Sequence, residues 1–358
     1  MRLADAVSRA TPVPIALMPI RSLSVLTALL HAYIALRLLP ALAMLTPAWP
    51  LALAALAISA LTIPLPFVSR GGERGASVGE LLQWTGLISM GWFSSLFVAT
   101  LLRDAGLLLA WLASALFGAP VPWHAVLPWS AMAVLVLATL VSMVGFLNAR
   151  RTADVKRVEV PIRGLPAALE GFTIAQLSDI HVGPTIRNAY IQRIVDAVNR
   201  LGADAIAITG DLVDGSVAEL REHIAPLAGL RARHGTFVVT GNHEYYAGAH
   251  AWIDELRRLG LKVLLNEHVV LQTRNVRGAQ NDEELFESQL VLAGVTDYTA
   301  GHFDAAHASD PHLALFDAPP LVHTRVLLAH QPRSATLAAQ AGYQLQLSGH
   351  THGGQFFP

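Results

Sequence analysis

The segment AIAITGDLVDG, residues 205–215, combines the two features that decide the fold of this chain. It begins with five apolar or β-branched residues, a run of the length that a buried strand needs. A glycine and an aspartate follow at once, and a second aspartate comes three residues later. A single Gly-Asp pair after a strand usually forms a turn rather than a functional site. Because polar residues also follow four other apolar runs, turn chemistry alone does not explain the pattern.

Ligand-type side chains follow five predicted strands in all. They are Asp179 and His181 after 172–178, Asp211 and Asp214 after 205–209, Asn242 and His243 after 236–240, His330 after 325–329, and His350 and His352 after 343–348. In open α/β sheets, sites form beyond the carboxyl ends of strands, where distant loops converge. Asp-x-His in extended backbone would also place both side chains on one face. The sequence therefore predicts a metal site at this edge.

An α/β fold is predicted beyond residue 150 because short β-branched runs alternate with amphipathic stretches. A sixth strand is predicted at 290–295. Helices are predicted at 187–200, 217–229, 250–259 and 333–341. Residues 274–289 are polar and acidic, and we interpret them as an exposed loop or a hairpin extension. The histidines outside the five blocks are interpreted as surface or packing residues: His223, His234, His250, His268, His302, His307, His312 and His323.

The first 150 residues have a different character. The whole chain is 53% apolar and only 14% charged, which is too apolar for an ordinary soluble protein. Residues 1–150 carry eight Arg, no Lys and four acidic residues, whereas thirteen of the fifteen histidines follow residue 150. Apolar stretches at 23–45, 49–68, 81–117 and 125–147 predict about four membrane spans. The third is interrupted by Arg103 and Asp104, so either one long helix or a span with a re-entrant piece fits. No cysteine occurs, which excludes disulfides and thiolate metal ligands.

This pattern predicts four segments. Residues 1–22 form an N-terminal segment, 23–147 an all-α transmembrane domain, 148–156 a basic linker and 157–358 the α/β domain. With four spans, the basic residues that flank them place both termini in the cytoplasm. Arg37 lies inside the first span, where a snorkelling or helix-facing position is at least as good an interpretation as a functional one.

The five blocks DIH, GDLVD, GNHE, AHQP and GHTHGG, in this order, resemble those of the calcineurin-like metallophosphoesterase superfamily. The stretches TGDLVDG and SGHTHGGQ are most similar to the bacterial branch that includes YkuE and YaeI, part of which carries a multi-pass membrane region. The resemblance covers roughly residues 157–358 and implies a four-layer α-β-β-α sandwich. Relatives continue for another strand or hairpin beyond His352, so the resemblance leaves open a C-terminal truncation.

The resemblance also implies a centre of two divalent ions, with Mn²⁺, Fe and Zn²⁺ all open. Asp179, His181 and His352 would hold one ion, Asn242, His330 and His350 the other, and Asp211 would bridge them. His243 would protonate the leaving alkoxide or stabilise charge on the phosphoryl group, and Asp214 would orient His243. A hydroxide bridging the ions would attack phosphorus and so expel this leaving group. Tyr245 and Tyr246 follow the third block, and lining of the substrate mouth and structural packing fit them equally.

The expected function is a phosphoesterase anchored in the bacterial cell membrane, acting on diesters or monoesters, with its catalytic domain in the cytoplasm. Expected partners are the lipid bilayer and a phosphoester substrate, for which lipid-linked and nucleotide esters are both open. Specific nucleic-acid binding is not expected, and the sequence does not fix the oligomeric state. Two alternatives stay open: a transporter or sensor whose soluble half binds metal or phosphate, and an inactive truncated fragment.

Overall fold

The structure, a computed structural model, describes residues 20–68, 76–274 and 287–352. The described residues form two compact units that divide between Arg151 and Thr152. The first is entirely helical, and the second has mixed strands and helices. Residues 148–156, predicted as a linker, include this division.

The helical unit contains five helices among its described residues. They are α1 (Ile20–Ala43), α2 (Trp49–Thr62), α3 (Leu65–Val68), α4 (Ala76–Phe117) and α5 (Trp123–Ala149). In the described ranges, three stretches are long and apolar enough to cross a membrane: Ser22–Ala43, Leu81–Phe117 and Trp123–Ala149. The predicted span at 49–68 is instead divided, because Pro64 cannot donate the next helical hydrogen bond. At 14 residues, α2 is about 21 Å long, shorter than a hydrocarbon core of about 30 Å.

Arg37, Arg103 and Asp104, three charged residues of the apolar helices, have polar partners on the same or a neighbouring helix. Helix α4 continues through Arg103 and Asp104 without a break. The guanidinium of Arg37 on α1 donates from Nε and Nη2 to the two carboxylate oxygens of Asp104, at 2.7 and 3.0 Å. The Tyr33 hydroxyl donates to the same carboxylate at 2.6 Å. Arg103 is buried and donates from Nε to the Ser130 hydroxyl on α5 at 2.9 Å. Arg37 thus faces a neighbouring helix. This helix-facing position is one of the two non-functional interpretations of Arg37, the other being snorkelling.

The described residues of the second unit form two four-stranded sheets. The first holds β1 (Ile174–Leu177), β2 (Ala205–Ile208), β3 (Thr236–Val238) and β4 (Lys262–Val263), in that order and all parallel. The second holds β5 (Glu267–Arg274), β6 (Glu287–Gly294), β7 (Arg325–Leu328) and β8 (Leu345–Leu347), also in order. In this second sheet β5 and β6 pair antiparallel, while β6, β7 and β8 are parallel.

Strand β2 shows how the layers are built. Its alternate side chains face opposite sides of the sheet. Ala205 and Ala207 join the core between the two sheets, together with residues such as Phe237 and Leu292. Ile206 and Ile208 face the helices α6 (Asn188–Asn199), α7 (Val217–Ile224) and α9 (Ala249–Arg258). On the far side, α10 (Ala335–Ala341) packs on the second sheet. The layers are α-β-β-α, as predicted.

The predicted elements agree with the structure except in three places. All six predicted strands and four predicted helices are present, although 217–229 is α7 followed by a 3-10 helix, Ala225–Gly229. Strands β4 and β5 and the short helix α8 (Asn242–Ala247) were not predicted. Arg274 pairs with Glu287 across β5 and β6, so both ends of the segment predicted as a loop or a hairpin extension belong to an antiparallel strand pair. Residues 275–286, the middle of the segment predicted at 274–289, lie outside the described residues.

Candidate metal centre

The carboxyl ends of the strands from both sheets meet at one edge, and the predicted ligand residues lie there. Asp179, His181 and His352 form a first group, in which each offers one ligand atom within 4.8 Å of the others. The His352 Nε2 atom is 3.4 Å from Asp179 Oδ1 and 3.2 Å from His181 Nε2. The backbone N–H of His350 also donates to the Asp179 carboxylate, at 2.9 and 3.0 Å. The loops after β1 and β8 are therefore tied together.

A second group consists of Asp211, His330 and His350. His330 is fully buried, and its Nε2 is 3.1 Å from Asp211 Oδ2 and 3.2 Å from His350 Nδ1. The other ring nitrogen, Nδ1, is 2.8 Å from the Thr209 carbonyl oxygen. Because Nδ1 must donate to that carbonyl, the neutral ring presents its Nε2 lone pair to the site.

Asp211 lies between the two groups. Its Oδ2 atom is 3.1 Å from His330 Nε2 and 3.9 Å from both His181 Nε2 and His243 Nε2. Its Oδ1 atom accepts the backbone N–H of His243 at 2.9 Å. The structure thus places one carboxylate beside imidazoles of both groups, and this is the residue that the resemblance predicts as the bridge between two ions.

Asn242 supplies a direct test of whether the site fits a cation. Its side chain is buried, and Oδ1 has no hydrogen-bond partner among the described residues. A buried amide oxygen without a partner costs on the order of 1–3 kcal/mol unless something else binds it. Oxygen and imidazole nitrogen are the ligands that divalent transition ions take. The ligand types in the two groups, together with the unpartnered oxygen of Asn242, therefore fit a metal centre.

His181 and His243 share one carboxylate, although the sequence predicts Asp214 as a partner of His243 alone. Asp214 Oδ1 is 2.9 Å from His181 Nδ1 and 2.5 Å from His243 Nδ1. Both rings therefore direct Nε2 toward the site. Burial alone would raise the pKa of Asp214, but the hydrogen bonds and charges of these two histidines hold it well below its usual range. The hydrogen bond to Asp214 in turn raises the pKa of His243.

The backbone that carries these side chains differs from the prediction. Five non-glycine residues of the site have positive φ, namely Asp179 (53°), His181 (50°), Asp211 (51°), His350 (71°) and His352 (50°). The predicted extended Asp-x-His segment is therefore wrong. The cause is pairing between loops, since the N–H groups of Asp179 and His181 donate to the carbonyls of Gly210 and Asp211 at 3.1 Å. Left-handed backbone costs on the order of 1–3 kcal/mol per residue and clusters at functional sites.

Comparison with known proteins agrees with this geometry. The family model for the calcineurin-like phosphoesterases matches residues 172–354, about half of the chain. The chain belongs to this family. The match includes all nine predicted site residues, from Asp179 to His352.

Relatives of this phosphoesterase chain occur in animals and bacteria. A Bos taurus transmembrane protein with metallophosphoesterase domain is 40% identical over 262 residues, covering 72% of this chain and 57% of that protein. A Campylobacter jejuni metallophosphoesterase is 32% identical over 63% of this chain and 55% of its own length. Bacillus subtilis YkuE is 27% identical, over 53% of this chain and 62% of its own length. The chain thus spans little more than half the length of these relatives. Its long apolar helices and a transmembrane relative support a membrane protein.

Glu244 supports the candidate metal centre, although the sequence alone predicts no role for it. Its buried carboxylate accepts the backbone N–H groups of Gly241, Asp211, Leu212 and Val213, at 2.6, 3.0, 2.7 and 3.3 Å. It therefore joins the loop after β2 to the start of α8. The sequence contains a signal for this role, because an acidic residue three positions after a glycine fits the capping pattern of a helix N-terminus.

The two tyrosines after the third block differ in position. Tyr245 is buried, and its hydroxyl is 2.9 Å from His307 Nδ1, so it packs inside the domain. Tyr246 is 54% exposed, and its ring centre is 5.4 Å from that of His243. Only Tyr246 is thus both exposed and beside a predicted catalytic residue.

Proposed function

We propose that this protein is a membrane-anchored phosphoesterase that hydrolyses a phosphodiester or a phosphomonoester with two divalent metal ions. The position of Asp211 carries the proposal, because its carboxylate lies 3.1 Å from His330 in one ligand group and 3.9 Å from His181 beside the other. Asp179, His181 and His352 would hold one ion, and Asn242, His330 and His350 the other. Mn²⁺, Fe and Zn²⁺ all suit these ligands. When bound, such ions activate water and offset negative charge on the phosphoryl oxygens.

His243 is the proposed general acid. Asp214 binds its Nδ1 at 2.5 Å, so the proton available to a substrate is on Nε2. The raised pKa keeps this ring protonated to a higher pH than an ordinary histidine. His243 Nε2 would donate that proton to the leaving alkoxide, and Asp214 would stabilise the charged ring until then. Tyr246, beside this ring, would contact the leaving group.

The proposal also includes a substrate class and a cellular location. The membrane helices favour a lipid-linked ester, while a nucleotide ester also fits a site that recognises a phosphoryl group. We infer a bacterial cell membrane with the catalytic domain in the cytoplasm, because the basic residues Arg150, Arg151, Lys156 and Arg157 directly follow the last apolar helix, whatever the number of spans before it. Protease cleavage of the domain in intact cells, without opening them, would overturn this orientation.

The enzymatic test uses the full chain in detergent, stripped of metal and reloaded with Mn²⁺. Activity on bis(4-nitrophenyl) phosphate and 4-nitrophenyl phosphate is compared for the unaltered protein, Asp211→Ala and His243→Ala. Loss of a general acid costs about 10²- to 10⁴-fold in rate. Asp254→Ala and His302→Ala are matched controls, since both residues are exposed and lie outside the ligand groups. Equal activity in all five proteins would overturn the proposal, and inactivity in all of them would favour the fragment alternative.

The transporter or sensor alternative gains no specific support from the helical unit. It would need polar groups that line a path through the membrane. Arg37, Arg103 and Asp104 instead bind one another or a neighbouring helix.

A further inference from the structure

A second cluster of ligand-type residues lies outside the phosphoesterase site. His250, Asp304 and His307 each offer one ligand atom, and these atoms lie within 4.8 Å of one another. His250 is the second residue of α9, whereas Asp304 caps a 3-10 helix, Ala305–His307. The three residues therefore come from two segments that are more than fifty positions apart in the sequence. Such a cluster can join those segments through one ion.

We infer that His250, Asp304 and His307 form a separate divalent-metal site of the Zn²⁺ class. Two imidazoles and one carboxylate are the ligand set of zinc sites that keep a fourth position for water. Two nitrogen ligands select Zn²⁺ over Mg²⁺ and Ca²⁺, which prefer oxygen. This inference is independent of the proposed hydrolytic function, because none of the three residues belongs to the ligand groups around Asp211.

The partners of these side chains orient them as metal ligands. Asp304 Oδ1 accepts the Ala306 N–H at 2.9 Å, and Oδ2 is 3.1 Å from His250 Nε2. His307 Nδ1 is 2.9 Å from the buried Tyr245 hydroxyl, so Nε2 is the nitrogen available to an ion. A ring nitrogen held by an outer partner is the usual arrangement of a metal-bound histidine. Burial also lowers the pKa of His307, which keeps the ring neutral near pH 7.

The site can close around an ion with little rearrangement. Ligand atoms about 2.1 Å from a tetrahedral ion are about 3.4 Å from each other. The His250 and Asp304 atoms are already 3.1 Å apart, and the ring centres of His250 and His307 are 4.9 Å apart. The His250 side chain is 72% exposed. It can therefore rotate toward His307 without disturbing the core.

An ion at this position would act on the segment next to the phosphoesterase site. Phe303, adjacent to Asp304, has its ring centre 5.7 Å from that of Tyr246, the tyrosine beside His243. Tyr245, which holds His307, is on α8 with Asn242 and His243. Binding would thus fix residues 303–307 against α8 and α9.

The test is a Zn²⁺ titration of the metal-stripped full chain, with bound zinc counted after removal of excess. His250→Ala and Asp304→Asn should each retain about one zinc fewer than the unaltered protein. The amide oxygen that Asp304→Asn introduces can still cap the 3-10 helix, so the effect of this variant reports on the ligand rather than on folding. His302→Ala is the matched control, because His302 is an exposed histidine of the neighbouring 3-10 helix outside the cluster.

A second measurement locates the ion and keeps the inference testable if a variant is unstable. Zn²⁺ should slow amide exchange at residues 303–308 in the unaltered protein and His302→Ala, but not in His250→Ala. Tyr245→Phe should keep the site and weaken zinc binding by about 10-fold, as expected for loss of an outer partner. Equal zinc content in all variants, or unchanged exchange at 303–308 on adding Zn²⁺, would overturn the inference.

Discussion

Asp214 orients two histidines through one oxygen atom, 2.9 Å from His181 Nδ1 and 2.5 Å from His243 Nδ1. One of these rings is a predicted metal ligand and the other the predicted acid. We expect Asp214→Asn to lower activity by about 10- to 100-fold, because the amide loses the charge that stabilises both rings. The pKa of His243 should fall toward its ordinary value, so the alkaline limb of the rate profile should move to lower pH.

Steady-state rates of Asp214→Asn across pH would check this expectation, together with its metal content. Asp254→Asn, an exposed aspartate of α9, is the control. An unshifted pH profile at full metal content would contradict the proposed link between Asp214 and His243.

His330 should make metal binding depend on pH. Burial alone would lower its pKa, but the hydrogen bond and charge of Asp211 raise it to about 9. A metal takes only the neutral ring, so protons compete with metal below that pH. We expect affinity to increase with pH between about 6.5 and 9, by up to about tenfold per unit from this one group. Calorimetric titration with Mn²⁺ in buffers of different ionisation enthalpy would count the released proton, and pH-independent affinity would contradict the expectation.

The same pKa predicts the stability of the metal-free protein. A raised folded-state pKa means that protonation of His330 stabilises the fold. That contribution is complete below about pH 6.5 and disappears as the pH rises through about 9. The metal-free protein should therefore melt at a lower temperature at pH 9.5 than at pH 6.5. Metal should raise the melting temperature more at the higher pH.

Helix α8 shows what element-level reasoning finds and misses. It contains Asn242 and His243, which the sequence identifies because they follow the predicted strand 236–240 after a single glycine. The helix itself has only six residues and lies next to α9, so it has no periodic pattern of its own. Its carboxylate Glu244 stabilises the loop after β2. We expect Glu244→Gln to destabilise the α/β unit by about 3 kcal/mol, since an amide accepts with one oxygen and turns N–H groups toward backbone donors.

Thermal unfolding of the metal-free chain would measure the effect of Glu244→Gln. Glu222→Gln is the matched control, since Glu222 is an exposed acid on α7. If both variants melted at the temperature of the unaltered protein, the four backbone contacts of Glu244 would not be a main support of the site.

Some strands can likewise be predicted from the sequence, and others cannot. Strand β2 alternates small and large apolar residues, and Asp211 follows its last residue by three positions, so both the strand and its site residue follow from the sequence. Strand β4 has two residues, Lys262 and Val263, too few for a period to be recognised. The left-handed backbone of Asp179 and His181 had no signal either, because it arises from hydrogen bonds to a loop about thirty residues away.

At the scale of the whole molecule, the charges in the helical unit distinguish an anchor from a transport path. Asp104 accepts hydrogen bonds from both Arg37 and Tyr33, so Asp104→Leu would remove the carboxylate that the half-exposed Arg37 guanidinium binds. We expect a loss of about 1 kcal/mol in stability for this variant, most of it recovered in the Arg37→Leu/Asp104→Leu double variant. Thermal unfolding in detergent of both single variants and the double variant would give the coupling between the two residues.

If the helices serve as an anchor, the double variant should also keep the phosphoesterase rate of the unaltered chain at temperatures where both are folded. This follows because Arg37 and Asp104 bind each other across α1 and α4, whereas the ligand groups lie entirely in the α/β unit. Ion or solute flux into proteoliposomes should be equal for the two proteins. A flux present only in the unaltered chain would favour the transporter alternative, because it would show that the paired charges line a path. If the losses of stability in the two single variants simply added up in the double variant, each charge would be stabilised separately by its surroundings.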